Sequence, residues 1–233
     1  GFGASKSDKE CLVVAGNSFD YPSVHGESIL ESGYSFSSSC DESVENGKVN
    51  LLGFDLVDLI AGEEKYTKTS LGLAPVVTEN FKLFTPNLTS RLTDFLNSGK
   101  SLFISGAYIG TELEIDPTAS KFGSNILKVK LGTEFASSNG EVSGVSKVPG
   151  TSEMLFKFNT DYSENIYRVE APQAINPEKE GETILRYSEN TNSAAVGYKG
   201  NYKSIVAGFP FETVTDRQKR NDLMKFILEF LGM

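Results

Sequence analysis

The chain has 233 residues, 31 acidic against 22 basic side chains and a formal net charge of −9. That balance repels nucleic acid phosphates and anionic membrane surfaces, and no Lys/Arg cluster offsets it, so nucleic acid binding is not expected. No run approaches the ~18 apolar residues of a membrane span, so membrane insertion is not expected either. Hydrophobic residues make up 39%, with sixteen Phe and nine Tyr, the profile of a globular chain long enough to bury roughly 70–75% of its unfolded surface.

In chain order, Gly1 to Glu10 is polar and reads as a flexible leader, the start of a domain that belongs to a larger protein. Cys11-Leu-Val-Val-Ala15 is a short apolar strand ending in the turn Gly16-Asn-Ser-Phe-Asp20. Asn17 in that turn is a candidate hydrogen-bonding group for a pocket, whereas Ser18, without a positioned base, reads as a turn hydroxyl. Tyr21 to Ser32 permits a helix, with Pro22 in its first turn and Gly33 as its stop. Tyr34 to Cys40 reads as a second strand, and Asp41 to Asn50 as a polar loop or a turn of helix.

Phe54 to Gly62 reads as a third strand, and its consecutive Leu, Val and Ile suit a position buried on both faces. Residues 67 to 84 show no period and read as a loop over the sheet. Thr85 to Gly99 is the clearest helix: Thr85 caps, Pro86 suits the first turn, and Leu88, Leu92, Phe95 and Leu96 share one face. Ser101 to Ser105 is then a buried strand running into Gly106-Ala-Tyr-Ile-Gly110. That turn has the outline of a nucleophile elbow, in which two glycines thrust the residue between them, here Tyr108, beyond the carboxyl edge of a sheet.

Asp116 to Leu127 reads as a short helix. A Ser- and Gly-rich β insertion follows, at about 132 to 190. Glu182 to Ser188, Ala194 to Lys199 and Lys203 to Gly208 form an antiparallel meander, with Gly200-Asn201 as a two-residue hairpin turn. Thr215 to Leu231 closes the chain as a helix whose Leu223, Phe226, Ile227, Phe230 and Leu231 make a core-facing stripe. Strands alternating with helices in the first half predict a mostly parallel sheet covered on both faces, within one domain spanning 11–233.

Two segments together resemble the class I glutamine amidotransferase-like family: the strand with its elbow, and Ile205-Val-Ala-Gly-Phe-Pro-Phe-Glu212, which is similar to that family's late Phe-His-Pro-Glu segment. With Asp58 to Lys65 added, the chain resembles an amidotransferase-like module of secreted bacterial proteins labelled xanthan lyase or N-acetylmuramoyl-L-alanine amidase. The resemblance implies a flavodoxin-like three-layer α/β sandwich and secretion or a periplasmic location. It also implies an accessory or binding role beside other domains of a protein acting on polysaccharide or cell-wall glycan.

Carried over by position, the family's triad is incomplete. Tyr108 stands at the cysteine, and a phenol of pKa ~10 is a poor acyl acceptor. Pro210 stands at the histidine, and Glu212 alone is retained. The alternative function is a hydrolase or lyase acting on glycan or peptidoglycan, in which Tyr108 works with Glu63, Glu212 or the sole histidine, His25.

Glu63 and Ser105 lie at strand ends, where α/β sheets place ligands, and join Asn17 and Tyr108 as candidate ligand-binding residues. Asp55, Asp58, Glu63 and Glu64 read as solvated loop charges, with no calcium-loop spacing. No dinucleotide or P-loop fingerprint occurs, so no nucleotide cofactor and no metal is expected. Cys11 and Cys40 read as free thiols. Tyr162, Tyr167, Tyr187, Tyr198 and Tyr202 are candidate sugar-stacking rings or cross-strand fillers.

Overall fold

The structure, a computed structural model, describes residues 21–70, 77–80, 82–163 and 165–233, with the backbone alone at 67–70 and 77–80. The strand expected at 11–15 and the turn after it, with Asn17 and Ser18, lie outside the described residues.

A seven-stranded sheet organises the molecule. Its strands are β1 (Leu56–Gly62), β4 (Ser101–Gly106), β6 (Glu141–Gly144), β7 (Leu155–Lys157), β9 (Glu182–Tyr187), β10 (Ser193–Lys199) and β11 (Lys203–Ala207), in the spatial order β1-β4-β11-β10-β9-β6-β7. Only β1 with β4 and β4 with β11 run parallel. The pairs β11–β10, β10–β9, β9–β6 and β6–β7 are antiparallel. The expected mostly parallel, flavodoxin-like three-layer sandwich is therefore corrected to a mixed, mostly antiparallel sheet. The meander brings two further strands from the Ser/Gly-rich stretch into the main sheet instead of leaving them as an insertion. Two-stranded ribbons stand apart, β2 (Thr67–Ser70) with β3 (Val77–Asn80), and β5 (Val129–Thr133) with β8 (Ala174–Pro177).

Two apolar clusters flank the central strands. Alternation along β4 sends Phe103 to one and Leu102 and Ile104 to the other. Phe103 meets α1 (Tyr21–Glu31) and α6 (Arg217–Leu231), whose Leu223, Phe226, Ile227, Phe230 and Leu231 are all buried. At about 1.5–3 kcal/mol for each such side chain, that stripe outweighs any propensity term in the helix. Leu102 and Ile104 meet α3 (Pro86–Asn97), capped by Thr85 Oγ1 accepting from Leu88 N–H, together with α4 (Ile109–Glu114) and α5 (Pro117–Lys121). A π-helix, Phe122–Leu127, continues α5 and ends at Lys128 in the left-handed region, φ 62°.

Three further expectations change. Tyr34–Cys40 is exposed and forms no strand, because its serines leave it no apolar face to bury; α2 (Asp41–Glu45) follows it. β1 is half-exposed along Leu56–Ile60 and not buried on both faces, since it stands at the end of the strand order. Residues 67 to 84 are not a plain loop but carry the β2–β3 hairpin. Among the described residues no helix is long and apolar enough to cross a membrane.

Candidate functional site

The parallel trio β1, β4 and β11 ends along one edge, with Ile60 and Ala207 both in register with Ser105. Two segments deliver ionisable side chains to that edge. On α1, Tyr21, His25, Ser28 and Ile29 are buried on one face, and the His25 ring lies 4.6 Å from the Phe211 ring and 6.4 Å from that of Phe103. After β11, Gly208-Phe-Pro-Phe211 turns into a single 3-10 turn, Phe211–Thr213, that carries Glu212 inward.

His25, 1% exposed, lies between two carboxylates. Its Nδ1 is 2.7 Å from Asp58 Oδ2 and its Nε2 is 3.2 Å from Glu212 Oε2. A carboxylate only accepts, so both bonds exist together when both ring nitrogens carry hydrogen, as in the imidazolium. Burial alone would strip that charge, but attraction and hydrogen bonds from Asp58, and then from Glu212, override it and raise the histidine from 6.5 to about 9. At neutral pH His25 is thus a buried cation with no lone pair to offer.

The other oxygen of Glu212 accepts from Tyr167 Oη at 2.7 Å. Burial, followed by Glu212, Tyr21 and Glu63, pushes the Tyr167 phenol well above its ordinary 10, so it stays a donor. The Tyr21 and Tyr167 rings are 5.3 Å apart. Glu63, 2% exposed, accepts the Glu170 N–H. Asp58 and Glu63 are therefore internal members of a polar network, not the solvated loop charges expected. Asp55, by contrast, is exposed and pairs with Lys100.

The elbow forms where it is expected. β4 ends at Gly106, Ala107 N–H donates to Gly62 C=O at 2.8 Å, and Tyr108 begins α4 at φ −115°, ψ 13°. Its two glycines serve closeness and not a left-handed turn. A Cβ on Gly106 would stand 2.7 Å from that of Ala61, and one on Gly110 2.6 Å from Leu131 Cδ1. The Tyr108 hydroxyl accepts from Lys65 Nζ at 3.2 Å and donates to Glu170 Oε2 at 3.3 Å, all three side chains being partly exposed.

The fold brings Glu212 and His25 into contact and sets Glu63 in the same network, joined to Tyr108 through Glu170. In triad chemistry one imidazole nitrogen is oriented by a carboxylate while the other faces the nucleophile. Here carboxylates hold both, and the Tyr108 hydroxyl is held by Lys65 and Glu170 instead. Ser105 is wholly buried, and among the described residues its Oγ has no hydrogen-bond partner.

Sequence reasoning named Tyr167 only as a candidate sugar-stacking ring or cross-strand filler, did not single out Lys65 or Glu170, and grouped Asp58 with surface charge. The signal for Asp58 was present: it is the sole polar residue in Leu-Val-Asp-Leu-Ile-Ala. Of the five tyrosines of the second half, Tyr167, Tyr187 and Tyr202 are buried and Tyr198 is half-buried, leaving only Tyr162, 82% exposed, as an open ring.

Beside the elbow, Glu112 on α4 is 1% exposed and clasps the base of the β2–β3 hairpin, accepting Tyr66 N–H on one oxygen and Leu83 N–H on the other. Burial raises it to about 7 despite those bonds. Among the described residues no group of three or more His, Cys, Asp or Glu is arranged to hold a metal.

No family model and no curated protein sequence matches the chain. Solved structures share its fold. A cytoplasmic protein from Salmonella typhimurium superposes with TM-score 0.57 at 11% identity, covering 89% of this chain and 85% of that one. The N-terminal domain of mmIFT52 gives 0.56 at 15% identity, with 91% and 90% covered. A beta-galactosidase from Rahnella sp. R3 gives 0.54 at 11% identity, where 90% of this chain corresponds to only 26% of the enzyme's. These identities speak to fold alone, and none of the three is named as an amidotransferase or a xanthan lyase.

Proposed function

We propose that this chain is a non-catalytic accessory or binding module, amidotransferase-like in its elbow and late segment, within a larger secreted protein that handles polysaccharide or cell-wall glycan. The observation that carries the non-catalytic part is the state of His25. The only histidine is a buried imidazolium with both nitrogens bound to carboxylates, so it has neither the lone pair nor the direction to activate a nucleophile. Support for the glycan-related part is the correspondence of nearly the whole chain with about a quarter of a beta-galactosidase, the size relation of a module to a multidomain enzyme.

The test has two arms. Purified protein is incubated with glutamine, simple esters and glycans, and no turnover is expected. Turnover abolished by His25→Gln or Tyr108→Phe overturns the non-catalytic reading. Retention on insoluble polysaccharide or peptidoglycan is expected, and its absence across the set overturns the glycan assignment.

A second reading, a hydrolase or lyase using Tyr108, draws on one observation: the hydroxyl sits between the Lys65 ammonium and the Glu170 carboxylate. That arrangement could pass a proton at a partly exposed site. Residual activity lost in Tyr108→Phe but kept in His25→Gln would select it over the first reading.

A further inference from the structure

Away from the His25 network, a groove of about 340 Å³ runs between α3 and the α5–π-helix turn. That is the lower end of the range for small-molecule sites, enough for one or two sugar rings and not for a polymer cleft. Its wall on α3 is polar where an amphipathic helix faces outward: Ser90 and Asp94 are exposed, and the Thr93 hydroxyl donates to Thr89 C=O, keeping lone pairs free to accept. The opposite wall presents Lys121 and Asn125. The floor is apolar, made chiefly by the half-buried Ile126, with Phe122, only 4% exposed and packed 5.7 Å from the Phe84 ring, beneath it.

One backbone feature builds the far wall, the π-helix that carries Phe122, Asn125 and Ile126. A π-helix is rare and concentrates at functional positions. The wider turn carries Asn125 and Ile126 at the groove, and Lys179 bonds Asn125 Oδ1, which fixes the amide and leaves its N–H groups to donate.

We infer that this groove is a binding site for a single neutral sugar residue. An apolar floor accepts the C–H face of a pyranose, while hydroxyl, carboxylate, amide and ammonium groups on both walls match a ring bearing donors and acceptors at every position. One carboxylate and one ammonium cancel, and the net charge of −9 disfavours an anionic sugar. The choice of sugars rests on the glycan-related reading above; the place of the site does not.

The experiment is an amide NMR titration with methyl β-galactoside and N-acetylglucosamine, with glucuronate and glycerol as controls. Saturable shifts centred on Ser90, Thr93, Lys121 and Asn125 are expected with a neutral sugar and not with the controls. Asp94→Ala should weaken binding about tenfold, the loss of one charged hydrogen bond, and Ser90→Trp should abolish it by filling the groove. Both positions are exposed, so the fold persists, and the unchanged remainder of each spectrum verifies it. Shifts centred on Tyr108 and Lys65, unaffected by either variant, overturn the groove while the glycan reading stands. Equal shifts with glycerol also overturn it. No saturable shift with either sugar overturns the groove, and failed retention on polysaccharide in the separate assay then takes the glycan reading with it.

Discussion

His25 and Tyr108 occupy the same carboxyl edge of the same three parallel strands, yet they are opposites. His25 is buried, charged and held on both sides by carboxylates, whereas Tyr108 is partly exposed and held by side chains that also reach water. The first arrangement behaves as a structural lock, because a buried ion triad resists removal of any member. The second can change partner at little cost. An edge where α/β folds place chemistry has here been divided into an internal brace and an open surface.

The sharpest way to break that contrast is to remove each member in turn. His25→Ala leaves Asp58 and Glu212 buried without their cation and should cost roughly 3–5 kcal/mol, read from urea unfolding. A loss under 1 kcal/mol, comparable with the surface site, would mean the triad is not a lock.

The pH dependence comes next. His25 has a folded value near 9 against an ordinary 6.5, so its contribution is fully present below pH 6.5 and is lost as pH rises through 9. The span amounts to about 3 kcal/mol. Glu112, raised from 4.5 to about 7, acts in the same direction between those two values. Stability should therefore decline steadily from mildly acidic to alkaline pH, and His25→Gln should flatten the part above 6.5. A wild-type profile that is flat from pH 6.5 to 9.5 would contradict the buried imidazolium.

Glu112→Ala should cost about 1–3 kcal/mol by orphaning two backbone donors. The loss should be local: hydrogen exchange should accelerate at the Tyr66 and Leu83 amides before it does in β4. The smallest effect belongs to Tyr108→Phe, within about 1 kcal/mol, as expected for partly exposed polar contacts. Unfolding midpoints and one-dimensional spectra suffice to check it.

Legibility followed the range of the interaction. α3, α6 and the β9–β10–β11 meander were readable because caps, a 3.6-residue stripe and a turn glycine are written within a few residues of one another, although three residues, Gly200 to Tyr202, join β10 to β11 and not the two expected. The elbow was readable too, although its glycines answer to crowding by Ala61 and Leu131 and not to backbone sign. Tyr34–Cys40, read as a strand, forms none because its serines leave no apolar face for another element to cover. The sheet's character was misread because β6 and β7 join it through β9, a pairing across about forty residues that no local pattern announces.

The site was the least legible part. His25 and Glu212 lie 187 positions apart, and the resemblance directed attention to Pro210, whereas the imidazole beside Glu212 comes from α1, far earlier in the chain. By itself the sequence determined the acidic charge, the single histidine, the local helices and turns, and the tyrosine at the centre of the elbow. Only the tertiary structure decided which way the sheet runs and that His25 is a cation. Both depend on which segments meet, and a pKa is set by the charges and the burial that such a meeting creates.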